Sequence, residues 1–256
     1  MGKRVVVSGS SISTGQLVNF FLGIESGTYS FESFQQYLQD PNRFVPEVTQ
    51  LDRAIKVLGT DKVVTAIQAH KAWGRESPGE EVSVVGLREG ILQSAADTNK
   101  TGATDFRLVY CLGISLRDQR EFLGVDLKKL PCYSEEDWWL AETEDSWATR
   151  NPACGYRLLD FRLRFGGLGW NVAEDEIARL GADYSRADEV IVAEACSSVS
   201  QVHDKRLLAF EVHAGATADS KGDIVSVGLF QERVLHVFGH PKERSRSRWG
   251  VVGTRD

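Results

Sequence analysis

Between residues 155 and 202 the chain spells out a strand, a glycine turn, a helix, a short turn and a longer helix, and no other stretch constrains the fold as strongly. In 155–165, Arg157, Leu159, Phe161, Leu163 and Phe165 alternate with Tyr156, Leu158, Asp160, Arg162 and Arg164. Period two makes this a strand whose first set faces a core and whose second set mostly faces water. Phe165-Gly166-Gly167-Leu168-Gly169-Trp170 turns the chain into a helix. Backbone N–H groups at such a turn form a natural phosphate cradle. The residues that follow oppose it. Asn171 is a good N-cap with Glu174 in the capping-box position, and Asp175 and Glu176 extend the acidic run. At an effective dielectric near 20, one like charge at about 5 Å costs roughly 3 kcal/mol. The spacing fits neither G-x-G-x-x-G nor a G-K-[ST] loop. A structural turn is expected, and any ligand should be a cation or a basic partner.

The rest of the chain divides by pattern. Apolar residues at helical spacing in 15–24, 31–38, 47–58 and 63–71 predict a mostly helical start, with Thr60 or Asp61 capping the last of these helices. The amino-terminal VVVSGSSISTG lacks the spacing of a dinucleotide-binding strand and is expected to be flexible or capped. Residues 74–81, with Ser77, Pro78 and Gly79 among charges, are the linker candidate. Strands are then expected at 82–85, 106–112, 207–213, 224–230 and 234–238, with a turn at Ser220-Lys221-Gly222-Asp223. The expected class is α+β: a helical module over 1–78, a mixed or antiparallel sheet packed with helices over 79–240, and a basic C-terminal tail over 241–256.

A length of 256 residues permits a substantial core without metals or disulfides. A net charge of −6 argues against a protein that wraps nucleic acid over its whole surface. Cys111, Cys132, Cys154 and Cys196 form no C-x-x-C pair, so reduced, buried thiols in a cytoplasmic protein are expected. No apolar run reaches the length of a membrane span.

The segment from Phe20-Phe21 through Phe31-Glu32-Ser33-Phe34-Gln35-Gln36-Tyr37-Leu38-Gln39-Asp40-Pro41-Asn42-Arg43-Phe44 resembles a helical opening shared by uncharacterised bacterial proteins. Residues 155–202 resemble another such family. These resemblances imply a bacterial source and no particular activity.

Several side chains are candidates for chemistry. Glu194 lies in the apolar run Val190-Ile191-Val192-Ala193-Glu194-Ala195-Cys196, where burial would suit a carboxylate to acid–base catalysis. The helical wheel puts it at the edge of the apolar stripe, so partial exposure is expected. Glu211 and His213 sit two apart on an expected strand, and with His236 they would make a divalent-metal site. His236 and His240 lie too far apart on a strand to share one ion. No serine carries a G-x-S-x-G elbow. Asp160, Arg162 and Arg164 share a strand face, where they could bind a polar ligand but are expected to pair with each other or be solvated.

Two segments read as interaction surfaces. Trp138, Trp139 and Trp147 stand among Glu135, Glu136, Asp137, Glu142, Glu144 and Asp145; exposed tryptophan favours binding, although tryptophan is more often a core residue. Lys242, Arg244, Arg246 and Arg248 precede Trp249, an arginine–aromatic pattern suited to RNA or an acidic partner on a mobile end. The leading expectation is a non-catalytic cytoplasmic interaction protein. Its partner is another protein or a second copy of itself, docked through patches of opposite charge, with no membrane. The alternatives are a metal-dependent hydrolase or nuclease using Glu211, His213, His236 and Glu194, and an RNA or DNA binder acting through the tail.

Overall fold

The computed structural model describes residues 5–7, 10–12, 49–82, 84, 87, 89–141, 147–244 and 246–255. Two compact units emerge, Met1–Arg53 and Ala54–Asp256. In the first, β1 (Val5–Val7) and β2 (Ser10–Ile12) form an antiparallel hairpin, where a flexible or capped end was expected. The helices expected at 15–24 and 31–38 lie outside the described residues. Helix α1 (Gln50–Leu58) spans the division and stops before Gly59, whose φ of 97° ends the helix.

The second unit is α+β around one mixed sheet of nine strands. Val63 and Val64 form β3 (Val63–Val64) rather than the start of a helix. Helix α2 (Ala66–Ala72) begins two residues later, set by a capping box between Thr65 and Gln68. The Glu81 carboxylate accepts from Thr65 Oγ1 at 2.6 Å and from Ala66 N at 3.1 Å. The expected linker is therefore tied to α2, and the chain divides near residue 53 instead of 78. No strand covers Val82 or Val84. The remaining helices are α3 (Glu89–Lys100), α4 (Leu116–Leu123), α5 (Trp170–Arg179) and α6 (Glu189–His203). The remaining strands are β4 (Phe106–Cys111), β5 (Cys132–Tyr133), β6 (Gly155–Arg164), β7 (Tyr184–Arg186), β8 (Val212–Ala218), β9 (Ile224–Gly228), β10 (Val234–His240) and β11 (Trp249–Arg255). Their order across the sheet is β3-β4-β6-β11-β8-β9-β10-β5, with β7 also paired to β11.

Three local readings change. Residues 207–211 are irregular, and β8 starts at Val212. Leu158 through Phe161 are all buried, so both faces of β6 are covered there and the alternation does not mark a wet side. Asp160 is fully buried, accepting from Asp105 N at 2.8 Å and Arg162 N at 3.1 Å, and pairs with Arg164 Nε at 3.2 Å. The segment 249–255 is an inner strand between β6 and β8, not part of a mobile tail.

Helix α6 is the centre of the unit. Every residue from Glu189 to Ser200 is buried, because β4, β8 and β9 pack against it with α2 and α4. Covered on every side, it has no solvent face, and its buried Glu189, Glu194, Ser197, Ser198 and Ser200 are enclosed with the apolar residues. Each fully buried Val or Ile on it contributes roughly 1.5–3 kcal/mol. Asp188 caps it by accepting from Val190 N at 2.8 Å. Among the described residues no helix is long and apolar enough to cross a membrane. Cys111, Cys132 and Cys196 are buried and Cys154 is exposed; all are free thiols.

Candidate functional site

Glu194 sits midway along α6 with no exposed surface, where partial exposure was expected. A boundary position on a helical wheel reaches water only if the helix has a wet side, and α6 has none. The carboxylate accepts from the backbone N–H groups of Leu112, Gly113 and Ile114, the last two at 3.1 Å. Gly113 makes this approach feasible: its φ is 73°, and a Cβ there would lie 2.1 Å from Pro152 O. Beside it Gln119 Nε2 donates to Ile114 O at 2.7 Å and Val190 O at 3.1 Å, while the Tyr133 hydroxyl donates to Gln119 Oε1 at 2.7 Å. Burial pushes the Glu194 carboxyl up to about 7, against three N–H donors that favour its charged form. What this geometry supplies is a latch between α6 and the loop after β4.

Glu211, His213 and His236 are not brought together. His213 is fully buried, and both ring nitrogens are engaged: Nε2 with Ala187 O at 2.9 Å, and Nδ1 accepting from Val252 N at 3.0 Å. Burial pulls its pKa down to about 3, so the ring is neutral and has no lone pair free for a metal. Val212, Gly228 and His236 stand in one row across β8, β9 and β10, which puts His213 on the opposite face from His236. Glu211 lies exposed before β8 begins. Among the described residues no group of three or more His, Cys, Asp or Glu could hold a metal ion. The position of His213 has a structural reason. Strand β11 pairs with β8 at Trp249 and Gly250, and with β7 from Gly253 to Arg255. His213 fills the fork between those partners.

The acidic tryptophan segment also turns inward. Trp139 is 1% exposed and Trp147 6%. Their rings lie 6.2 Å apart, with Tyr133 6.0 Å from Trp139. Only Trp138 keeps appreciable exposure. Glu142, Glu144 and Asp145 lie outside the described residues. Trp139 and Trp147 are thus core residues, which removes most of the aromatic surface from the expected acidic patch.

The basic segment stays outside, and the glycine turn holds it there. Gly167 N donates to Arg246 O at 3.1 Å and to Trp249 O at 3.3 Å, and Trp170 N donates to Lys242 O at 3.1 Å. Gly166 lies so close that a Cβ would meet Ser247 O at 2.8 Å. Backbone donors that could have held a phosphate are occupied by carbonyls of the chain's own basic loop. Helix α5 begins at Trp170 with Gly169 as its N-cap, so Asn171 does not cap it. Glu174 pairs with Arg186 Nε at 2.5 Å rather than closing a capping box.

On this mount, residues 242–248 carry their cations over indole rings. Arg244 and Arg246 lie 5.3 and 5.2 Å from the Trp249 ring, and the His240 ring packs against it at 4.2 Å, tilted by 50°. Trp170 lies between Lys242 at 5.4 Å and Arg186 at 5.0 Å. Lys242, Arg244, Arg246 and Arg248 are exposed, and Trp249 is half-buried. Leu168 and Val172 are exposed beside them, at 40% and 49%. Each cation–aromatic contact contributes about 0.5–1 kcal/mol at such exposure.

Comparison with known proteins finds no matching family model, no matching curated protein and no matching solved structure. The bacterial source implied by the two family resemblances gains no support from this comparison.

Proposed function

We propose that this protein is a non-catalytic binding protein that engages single-stranded RNA or DNA through the loop 242–248. The observation that supports this most directly is the three-bond mount of the loop on the glycine turn, which presents Arg244 and Arg246 over the Trp249 ring. Single strands are bound by cations that follow the phosphates and by flat groups on which bases stack. Guanidinium planes backed by an indole offer both at once. A net charge of −6 disfavours a polyanion over the surface as a whole, so a clustered basic face is the place for such contact.

The test is fluorescence anisotropy of labelled oligouridylate and oligothymidylate at several salt concentrations. Binding should weaken steeply with salt, and Arg244→Ala with Arg246→Ala should reduce affinity at least tenfold. Equal affinity of the double variant would overturn the proposal. So would absence of oligonucleotide binding together with capture of an acidic polypeptide such as polyglutamate. That outcome would return the surface to a protein partner.

A further inference from the structure

One buried donor beside the basic loop has no acceptor among the described residues. A cleft next to Arg244 is lined by Phe165, Trp170, Arg186, Ala214, His240 and Trp249. Its free volume of about 10 Å³ is at the threshold for one water molecule, which is also the size of a single ligand oxygen.

Arg186 reaches this cleft from β7. Its Nε pairs with Glu174 at 2.5 Å, its Nη1 donates to Ala214 O at 2.6 Å, and the guanidinium lies 5.0 Å from the Trp170 ring. Ala214 and Trp170 both line the cleft, so the guanidinium stands at its wall. The side chain is only 4% exposed, and its Nη2 has no hydrogen-bond partner. A buried donor without an acceptor is costly, most of all on a charged group. The polar groups around it are already engaged. Trp170 Nε1 donates to Gly215 O at 3.0 Å. The two ring nitrogens of His240 bond Ser226 Oγ at 2.8 Å and Pro241 O at 3.1 Å.

The charge on Arg186 is met by Glu174, and Glu189 adds a second carboxylate nearby. A full anion such as a phosphate is therefore poorly matched to this donor, and a neutral oxygen suits it. Phe165, Trp170, His240 and Trp249 are flat rings around the cleft, against which a flat ligand packs. A carbonyl on the edge of a nucleobase combines the two. Arg244 and Leu168 are exposed side chains of the lining and can shift to admit it.

We propose that Arg186 reads the base: its Nη2 donates to a carbonyl oxygen on the edge of a nucleobase held at the basic face. Bases with a ring carbonyl are then preferred to adenine, which would put an amino group, a second donor, where the oxygen sits. This rests on the single-strand reading above and adds to it a specificity that phosphate contacts do not supply.

Fluorescence anisotropy with labelled single-stranded pentamers of inosine and of adenosine isolates the effect. The two purines share a ring frame and a phosphate backbone, and differ in a carbonyl oxygen against an amino group. The inosine pentamer should bind at least about fivefold more tightly. Arg186→Lys keeps a positive charge beside Glu174 but loses Nη2, and should bring the two affinities within about twofold of each other. Equal affinity of the two pentamers for the parent overturns the proposal without any variant and leaves the single-strand reading standing. A preference for inosine that persists in Arg186→Lys also overturns it, because the base is then read elsewhere. Failure of both pentamers and of oligouridylate to bind removes the proposal together with the reading on which it rests.

Discussion

Two regions of this protein carry most of its polar interest, and they treat polar groups in opposite ways. In the interior, Glu194 and His213 spend their hydrogen-bonding capacity within the chain, on Leu112, Gly113 and Ile114 in one case and on Ala187 and Val252 in the other. On the basic loop, Arg244 and Arg246 lie over the Trp249 ring and are exposed. The contrast shows why residue type alone misdirects a search for function. A buried carboxylate and a buried imidazole look like catalytic groups, yet each has its partners already. The basic loop, by contrast, holds its cations at the surface.

That contrast can be broken from either side. The largest expected effect is on Glu194→Ala, which leaves three backbone N–H groups buried without an acceptor. Urea unfolding should show a loss of about 3–5 kcal/mol. A loss below about 1 kcal/mol would mean that the latch is not structural.

The pH profile gives the next test. The folded Glu194 value of about 7 lies above its ordinary 4.5. Its stabilising contribution is therefore complete below pH 4.5 and is lost as the pH rises through 7. The folded His213 value of about 3 lies below its ordinary 6.5. That contribution is complete above pH 6.5 and is lost as the pH falls toward 3. Between pH 4.5 and 6.5 the two slopes oppose each other, each about 1.4 kcal/mol per pH unit. Glu194→Gln removes one of them. Relative to the parent, its stability should rise by about 1.4 kcal/mol per pH unit across that window. Parallel profiles for parent and variant would show that Glu194 does not titrate there.

Smaller effects belong to the surface. Gly166→Ala drives a Cβ against Ser247 O and should cost about 1–3 kcal/mol. It should also weaken oligonucleotide binding without touching an arginine, which anisotropy would read directly. The Arg244→Ala, Arg246→Ala pair should change unfolding free energy by only about 1–2 kcal/mol, the cation–aromatic contribution of two exposed contacts. A much larger loss would make those arginines part of the scaffold rather than of a binding surface.

How far the sequence revealed this depended on whether a local pattern had a local cause. Strand β6, helix α6 and the 220–223 turn follow from period and turn chemistry within a few residues, and they appear as expected. Val63 and Val64 carry helical spacing, but pairing with β4 overrides it. Trp249–Arg255 reads as the end of a basic tail because its charged approach dominates. The adjacent Val251 and Val252, both buried, were the available sign of a strand. At the glycine turn the N–H groups of Gly167 and Trp170 meet carbonyls of the chain itself. What the turn holds, the chain from Lys242 to Trp249, depends on tertiary contact and has no local signature.

Strand β11 has one more consequence. It lies between β6 and β8 and also pairs with β7, and all three precede it in the sequence. As the chain is made, β3, β4 and β6 can associate, and so can β8, β9 and β10, but the two groups have no shared strand until residues 249–255 emerge. The sheet therefore closes late, through contacts of long sequence separation, the slow kind. Until then β6 and β8 each present an unpaired edge. A truncation after His240 would freeze that open state. Removing the basic loop in this way would take the centre of the sheet with it, so the loop must be probed by substitution.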